Sequence, residues 1–271
     1  GRLWRVVLAA AAVVMLAVPT AALDFFTLWQ RPELPLDLTA GRWADYRRQA
    51  LAEGRRRDDL VRIQCLGQDD AGHWVLEVLP LAEPEPDVFV VAPGEGLRLL
   101  LEPAVTAREG DITDAVAEVR LWRDGTERVL DRERWRRDPL VTASFSGEFT
   151  PDLVQERDPT VRVIQGRELR CRQLTFAAAD SQVARLPQGR MIQVASQEVS
   201  AAVHPDIPLL GLAYATERIR AESRLEPPSE RMQPPPPQVR IEILECLGFG
   251  DDAEPVLSPG GGADSGEGAG A

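Results

Sequence analysis

Apolar and polar residues alternate with a period of two along much of the chain. Val61, Ile63 and Cys65 alternate with Arg62 and Gln64; Ala117, Val119 and Leu121 alternate with Glu118 and Arg120; Val239, Ile241 and Ile243 alternate with Arg240 and Glu242. Successive side chains of a strand point to opposite faces, so this spacing predicts strands with one dry and one wet face. Further strands are predicted over residues 43–51, 74–79, 88–92, 97–101, 161–164, 169–176, 191–203 and 212–223. Turn signals separate most of them, among them Asp69-Asp70-Ala71-Gly72, Pro93-Gly94-Glu95-Gly96, Asp124-Gly125 and Gln165-Gly166. Helix is expected only as short turns, one over residues 23–29 ended by Pro32 and Pro35, and one over residues 131–137 before Pro139. No regular strand–helix alternation is present, which speaks against a doubly wound nucleotide-binding sheet. The expected fold is mainly β, an antiparallel meander forming a curved sheet, half-barrel or sandwich with little helix.

The pattern also divides the chain. Residues 1–22 read as a signal peptide: Arg2 and Arg5 in front, an apolar run from Val6 to Val18, and the small-residue exit Thr20-Ala21-Ala22. The run falls short of the ~20 residues a membrane-spanning helix needs. Cleavage after Ala22 is therefore expected, leaving a chain that begins at Leu23 without a stable transmembrane span, located in the periplasm or secreted. Residues 23–40 form an extended or short helical lead-in, and residues 41–257 a single β-rich domain. Within it, residues 226–238 contain Pro227-Pro228 and Pro234 to Pro237, an extended loop poor in backbone donors. Residues 258–271 are Gly-rich and acidic and are expected to form a disordered tail.

Charge narrows the range of partners. Loss of Arg2 and Arg5 takes the formal net charge from -12 to -14, which repels nucleic acid and anionic lipid surfaces on average. All 31 basic side chains are arginine, so Schiff-base and P-loop lysine chemistry are excluded. The arginine runs Arg55-Arg56-Arg57 and Arg132 to Arg137 are neutralised by adjacent acids and read as solvated faces.

Candidate chemistry is sparse. Ser144-Phe145-Ser146-Gly147 is no nucleophile elbow. His73 and His204 each stand beside a turn without a paired nucleophile, so no catalytic residue is assigned and the domain is not expected to be an enzyme. Gly248-Phe249-Gly250-Asp251-Asp252-Ala253 matches a dinucleotide fingerprint in form. However, Pro255 blocks the helix that should follow, and three acids there would repel a pyrophosphate. Cys65, Cys171 and Cys246 lie in apolar runs; one disulfide in any of three pairings or three buried thiols are both open. No C-x-x-C spacing is present, and Asp69-Asp70 and Asp251-Asp252 lack the spaced oxygens of a calcium loop. No metal or cofactor is expected.

Gly41-Arg42-Trp43-Ala44-Asp45-Tyr46, Arg62-Ile63, Cys65-Leu66-Gly67 and Trp74-Val75-Leu76-Glu77 resemble the opening of exported bacterial proteins of uncharacterised role, loosely grouped with outer-membrane lipoprotein-sorting, LolA-like domains. Val161 through Gly166 to Cys171, then Ile207 to Leu212 and a last strand ending on Gly248-Phe249-Gly250, follow the same order. The resemblance spans residues 41–250. It implies a curved sheet or half-barrel that holds an acyl chain, a lipoprotein or an apolar partner segment, and it brings no catalytic residues. Physics leads to the same fork, because a dry sheet face must be covered by its other half, by a helix or by a ligand, and too little helix is predicted to cover it. The candidate apolar binding face is Val61, Ile63, Val119, Leu121, Ile241 and Ile243. A closed packed core would instead make a scaffold or interaction protein of the envelope, and a hydrolase with an unrecognised site is the third class.

Overall fold

The computed structural model describes residues 28–52, 54–92, 94–108, 112–137, 151–186, 189–227 and 233–257. The expected signal peptide and Gly-rich tail lie outside these residues. The described chain forms strands β1 (Trp43–Ala52), β2 (Arg55–Gln68), β3 (Trp74–Glu85), β4 (Val88–Val91), β5 (Gly96–Leu101), β6 (Val116–Arg123) and β7 (Thr126–Asp131), then β8 (Leu153–Ile164), β9 (Arg167–Leu186), β10 (Gly189–Val203), β11 (Leu212–Glu226) and β12 (Gln238–Gly250). Among the described residues the named helical elements are a 3-10 turn at Pro103–Ala107 and two single turns, α1 (Ile112–Ala115) and α2 (Arg132–Trp135). The mainly β, antiparallel expectation holds. Strand β7 was not legible, since Thr-Glu-Arg-Val-Leu-Asp buries only Leu130.

All the strands join one open sheet in the order β7-β6-β5-β3-β2-β1-β12-β11-β10-β9-β8, with β4 pairing beside β3. The first half meanders from the middle of the sheet outward to β7. The chain then crosses to the opposite edge at β8 and meanders back inward until β12 lies beside β1. Trp43 pairs with Gly250 and Ala52 with Arg240, so the two halves are joined by the full length of β1.

We call the face bearing Ala44, Tyr46, Ile63, Cys65, Leu76, Leu99 and Val119 the inner face. It carries the main core. The lead-in segment lies across it, burying Leu28, Trp29, Leu34 and Leu38. Several bonds fix that segment. Asp37 and Leu209 exchange main-chain hydrogen bonds of 2.8 and 3.1 Å, and Arg108 donates to the carbonyls of Arg31, Leu34 and Pro35 at 2.6–2.9 Å. Ile207, Leu209 and Leu210 from the β10–β11 connection, Val105, Ile112 and Trp135 complete the cover. At the other side of the sheet, Ile164, Leu169 and Cys171 join the same core. There Gln165 in the β8–β9 turn presses on Gly248, where a Cβ would sit 2.6 Å from its amide nitrogen.

The phase of β12 differs from the periodicity reading. Cys246 pairs with Tyr46 and both face the inner core, so Leu244 and Glu242 point inward while Ile243 and Ile241 point to the outer face. An Ile63→Ala change should therefore cost about 2–5 kcal/mol in denaturant unfolding, while Ile243→Ala, half-exposed on the other face, should cost less than half as much.

Candidate functional site

The six residues proposed as an apolar binding face do not form one surface. Val61, Ile63, Val119 and Leu121 belong to the inner face: Ile63 and Val119 are buried, Val61 packs against the core from partial exposure, and Leu121 is half-buried. Ile241 and Ile243 stand on the opposite side. The inner positions contact the chain's own side chains, with the lead-in segment lying over them.

Polar residues expected on a wet face are buried instead. On the outer face of β1, β2 and β3, Asp45, Gln64 and Glu77 are each less than 5% exposed. The reason is residues 251–257, which leave β12 and run across these strands as an extended strap. Ala253 N–H donates to the Gly41 carbonyl at 2.8 Å. Gly41 has φ +86°, and a Cβ there would lie 2.7 Å from the Asp251 carbonyl oxygen, so only glycine allows so close a crossing. The Trp43 indole N–H donates to Asp252 at 2.7 Å, and that bond holds the Asp252 carboxyl below its ordinary value.

The centre of this face is the Glu77 carboxylate, which has no exposed surface. Burying an ionised carboxylate costs several kcal/mol unless it is fully bonded, and Glu77 is bonded on all sides. Gln64 Nε2 donates to Oε2 at 2.7 Å, and Arg98 donates to Oε1 through Nε at 3.0 Å and Nη2 at 2.5 Å. The strap supplies the rest, Val256 N–H at 3.2 Å and Leu257 N–H at 3.4 Å. Arg98 also donates to the Leu257 carbonyl, and its guanidinium lies 5.3 Å from the centre of the Trp122 ring. The Leu257 side chain fills a slot with Leu79, Trp122 and Val91. A parallel unit flanks it, in which Arg62 forks onto Asp45 at 2.7 and 3.0 Å and stacks on Trp43 at 4.1 Å.

A buried pair of carboxylates lies on the inner face. Glu217 and Glu242 stand directly opposite on β11 and β12, a like-charge placement that destabilises a sheet unless each acid has its own partner. Gln197 donates to Glu217 at 2.5 Å and Arg240 pairs with Glu242, which accounts for an acid at a core position of β12.

The three cysteines are all free thiols and buried. Burial pushes Cys65 up to about 11 and Cys246 up to about 12, and raises Cys171 as well. His73 closes the Asp69 turn, Nδ1 lying 3.3 Å from the Asp69 carboxylate. His204 Nδ1 accepts from the Asp206 N–H at 3.2 Å, so each histidine completes a local turn. Two shallow depressions open on the described surface. One of about 550 Å³ is lined by Leu36, Asp37, Leu38, Thr39, Trp74, Thr106 and Arg108. The other, about 440 Å³, lies over Leu153, Ala177, Ser196, Glu198, Arg218 and Arg220.

No protein-family model and no curated protein matches this chain. Among solved structures, a DUF1329 family protein from Desulfovibrio piger aligns with 76% of this chain and 85% of its own length, at 9% sequence identity and a TM-score of 0.23. A score that low carries no argument about fold or function.

Two outcomes follow from these sites. Glu77→Ala leaves Arg98 without its buried partner and frees the strap amides, and should lower unfolding stability by about 3–5 kcal/mol in a denaturant titration. The thiols are neutral when folded but ionise near the ordinary thiol value when unfolded. Their stabilising burial is thus fully present below that value and is lost as pH rises towards 12. A thiol-reactive dye at about pH 8 should label the native protein slowly and all three cysteines rapidly after denaturation, and stability should fall steadily into the alkaline range.

Proposed function

We propose that this chain is a non-catalytic binding protein of the bacterial cell envelope, and that its ligand is an apolar partner segment held on the sheet surface rather than an acyl chain held inside. The observation that carries this reading is the filled inner face. Leu28, Trp29, Leu34, Leu38, Ile207, Leu209 and Leu210 occupy the side of the sheet where a lipoprotein-sorting domain would be expected to hold lipid. An acyl chain gains roughly 0.8 kcal/mol per buried methylene, but only where space exists to receive it. Close-packed side chains already collect that gain. The envelope address rests on the export signal read from the sequence, and the absence of a catalytic role on the missing nucleophile, base and metal-ligand patterns.

Native mass spectrometry of protein recovered from the envelope fraction without detergent tests both parts. The expected spectrum shows a chain beginning at Leu23 with no lipid adduct, and a fluorescent fatty acid titrated into the same sample should not saturate. Ile63→Trp should give soluble protein destabilised by roughly 1–3 kcal/mol through overpacking. A lipid adduct that Ile63→Trp expels without loss of stability would make the interior a carrier cavity and overturn the reading.

A further inference from the structure

We propose that the outer-face groove now filled by residues 254–257 is the docking site for the partner segment, and that the chain's own strap is a tethered occupant which an extended segment with one leucine-sized anchor displaces. The proposal rests on the reading of the chain as a binder of apolar segments and adds the place and the mode.

Four recognition contacts address main chain rather than side chains. Gln64 Nε2 donates to the Glu254 carbonyl at 2.9 Å, Glu77 accepts the N–H groups of Val256 and Leu257, and Arg98 donates to the Leu257 carbonyl. Main-chain groups are common to every sequence, so these contacts fix direction and register without dictating residues. Recognition of this kind is how extended peptides are held elsewhere, with affinity from main-chain bonds and specificity from pockets. Here only one pocket is used. Leu257 is 3% exposed, whereas Val256 is 44% exposed and Glu254 and Pro255 face solvent. The slot is cut to that side chain. At Gly96, with φ +152°, a Cβ would lie 3.0 Å from both Leu257 and Leu79.

The groove does not need the strap in order to be built. Arg98 and Gln64 hold the Glu77 carboxylate from the sheet side, and Trp122 lies beside the guanidinium. Departure of the strap leaves the carboxylate paired with Gln64 and Arg98, with room for two amide donors. Nor is the strap anchored like the lead-in segment, which crosses the inner face on four buried apolar side chains against the single leucine of the strap's final stretch. A tethered occupant competes at high effective concentration, so a free peptide meets an affinity reduced by the fraction of time the groove stands open.

Leu257→Asp in the full chain sets a carboxylate beside Glu77 and should release the strap. The probe is a labelled peptide of residues 252–257, acetylated and amidated, followed by fluorescence anisotropy. Release of the competitor should tighten peptide binding by about tenfold or more over the unaltered protein. A peptide carrying the same Leu257→Asp change should bind neither protein. Equal binding of the probe by both folded proteins, or by neither, overturns the proposal. Hydrogen exchange on the unaltered protein decides the matter if the variant does not fold. The Val256 and Leu257 amides should exchange about tenfold or more faster than the hydrogen-bonded amides of β2 and β3. Exchange in step with those strands would make the strap a fixed part of the fold. A failed peptide titration removes only this location, whereas lipid bound in the interior removes the binding mode itself.

Discussion

A single buried carboxylate sets the conditions for the outer half of this structure. Glu77 stands in the middle of β3 with no access to water, and five donor groups from three separate parts of the chain converge on it. Gln64 comes from the neighbouring strand β2, Arg98 from β5 on the other side, and the amides of Val256 and Leu257 from beyond the last strand. The sheet thereby gains a second covered face. Leu79 and Trp122 stay dry on the outside because the segment that satisfies Glu77 also brings Leu257 over them. Polar satisfaction and apolar burial depend on each other here, since removing either exposes the other.

The inner face follows a different rule. Its cover is apolar, with Trp29 and its leucine neighbours sharing one core with Leu76, Leu99 and Val119. Its two buried acids each have a partner, Glu217 beside Gln197 and Glu242 beside Arg240. The interior is thus specified by packing and the exterior by a hydrogen-bonded network. The proposed binding role falls to the exterior, where main-chain groups are recognised by side chains fixed in advance.

The strands were legible because alternation is a direct projection of sheet geometry onto sequence, and eleven of the twelve described strands overlap a stretch predicted as strand, although β8 was read only over its last four residues. Strand β7 escaped because a short edge strand buries one residue and leaves no alternation to read. The phase of β12 was misjudged for a related reason. Val239, Ile241 and Ile243 are the more apolar set, yet the inner positions go to Arg240, Glu242, Leu244 and Cys246 because Cys246 pairs with Tyr46. Register is decided between strands, and a single strand carries only part of it. The Glu77 site was hidden for a further reason. Its donors are 13, 21 and about 180 residues away in sequence, and its one local signal was the apolar pair Val256-Leu257 standing alone after Pro255.

The position of β1 and β12 has a consequence in time as well as in space. The central seam of the sheet joins β1 to β12, the first and last of the described strands, so Trp43 must wait for Gly250 before this neighbour exists. Until then β1 is an open edge, and the pairs that unite the two halves carry the longest loop closure the fold contains. Chains of such topology fold slowly and expose strand edges while they do. A sheet whose middle seam waits for β12 keeps its two halves apart until that strand is in place.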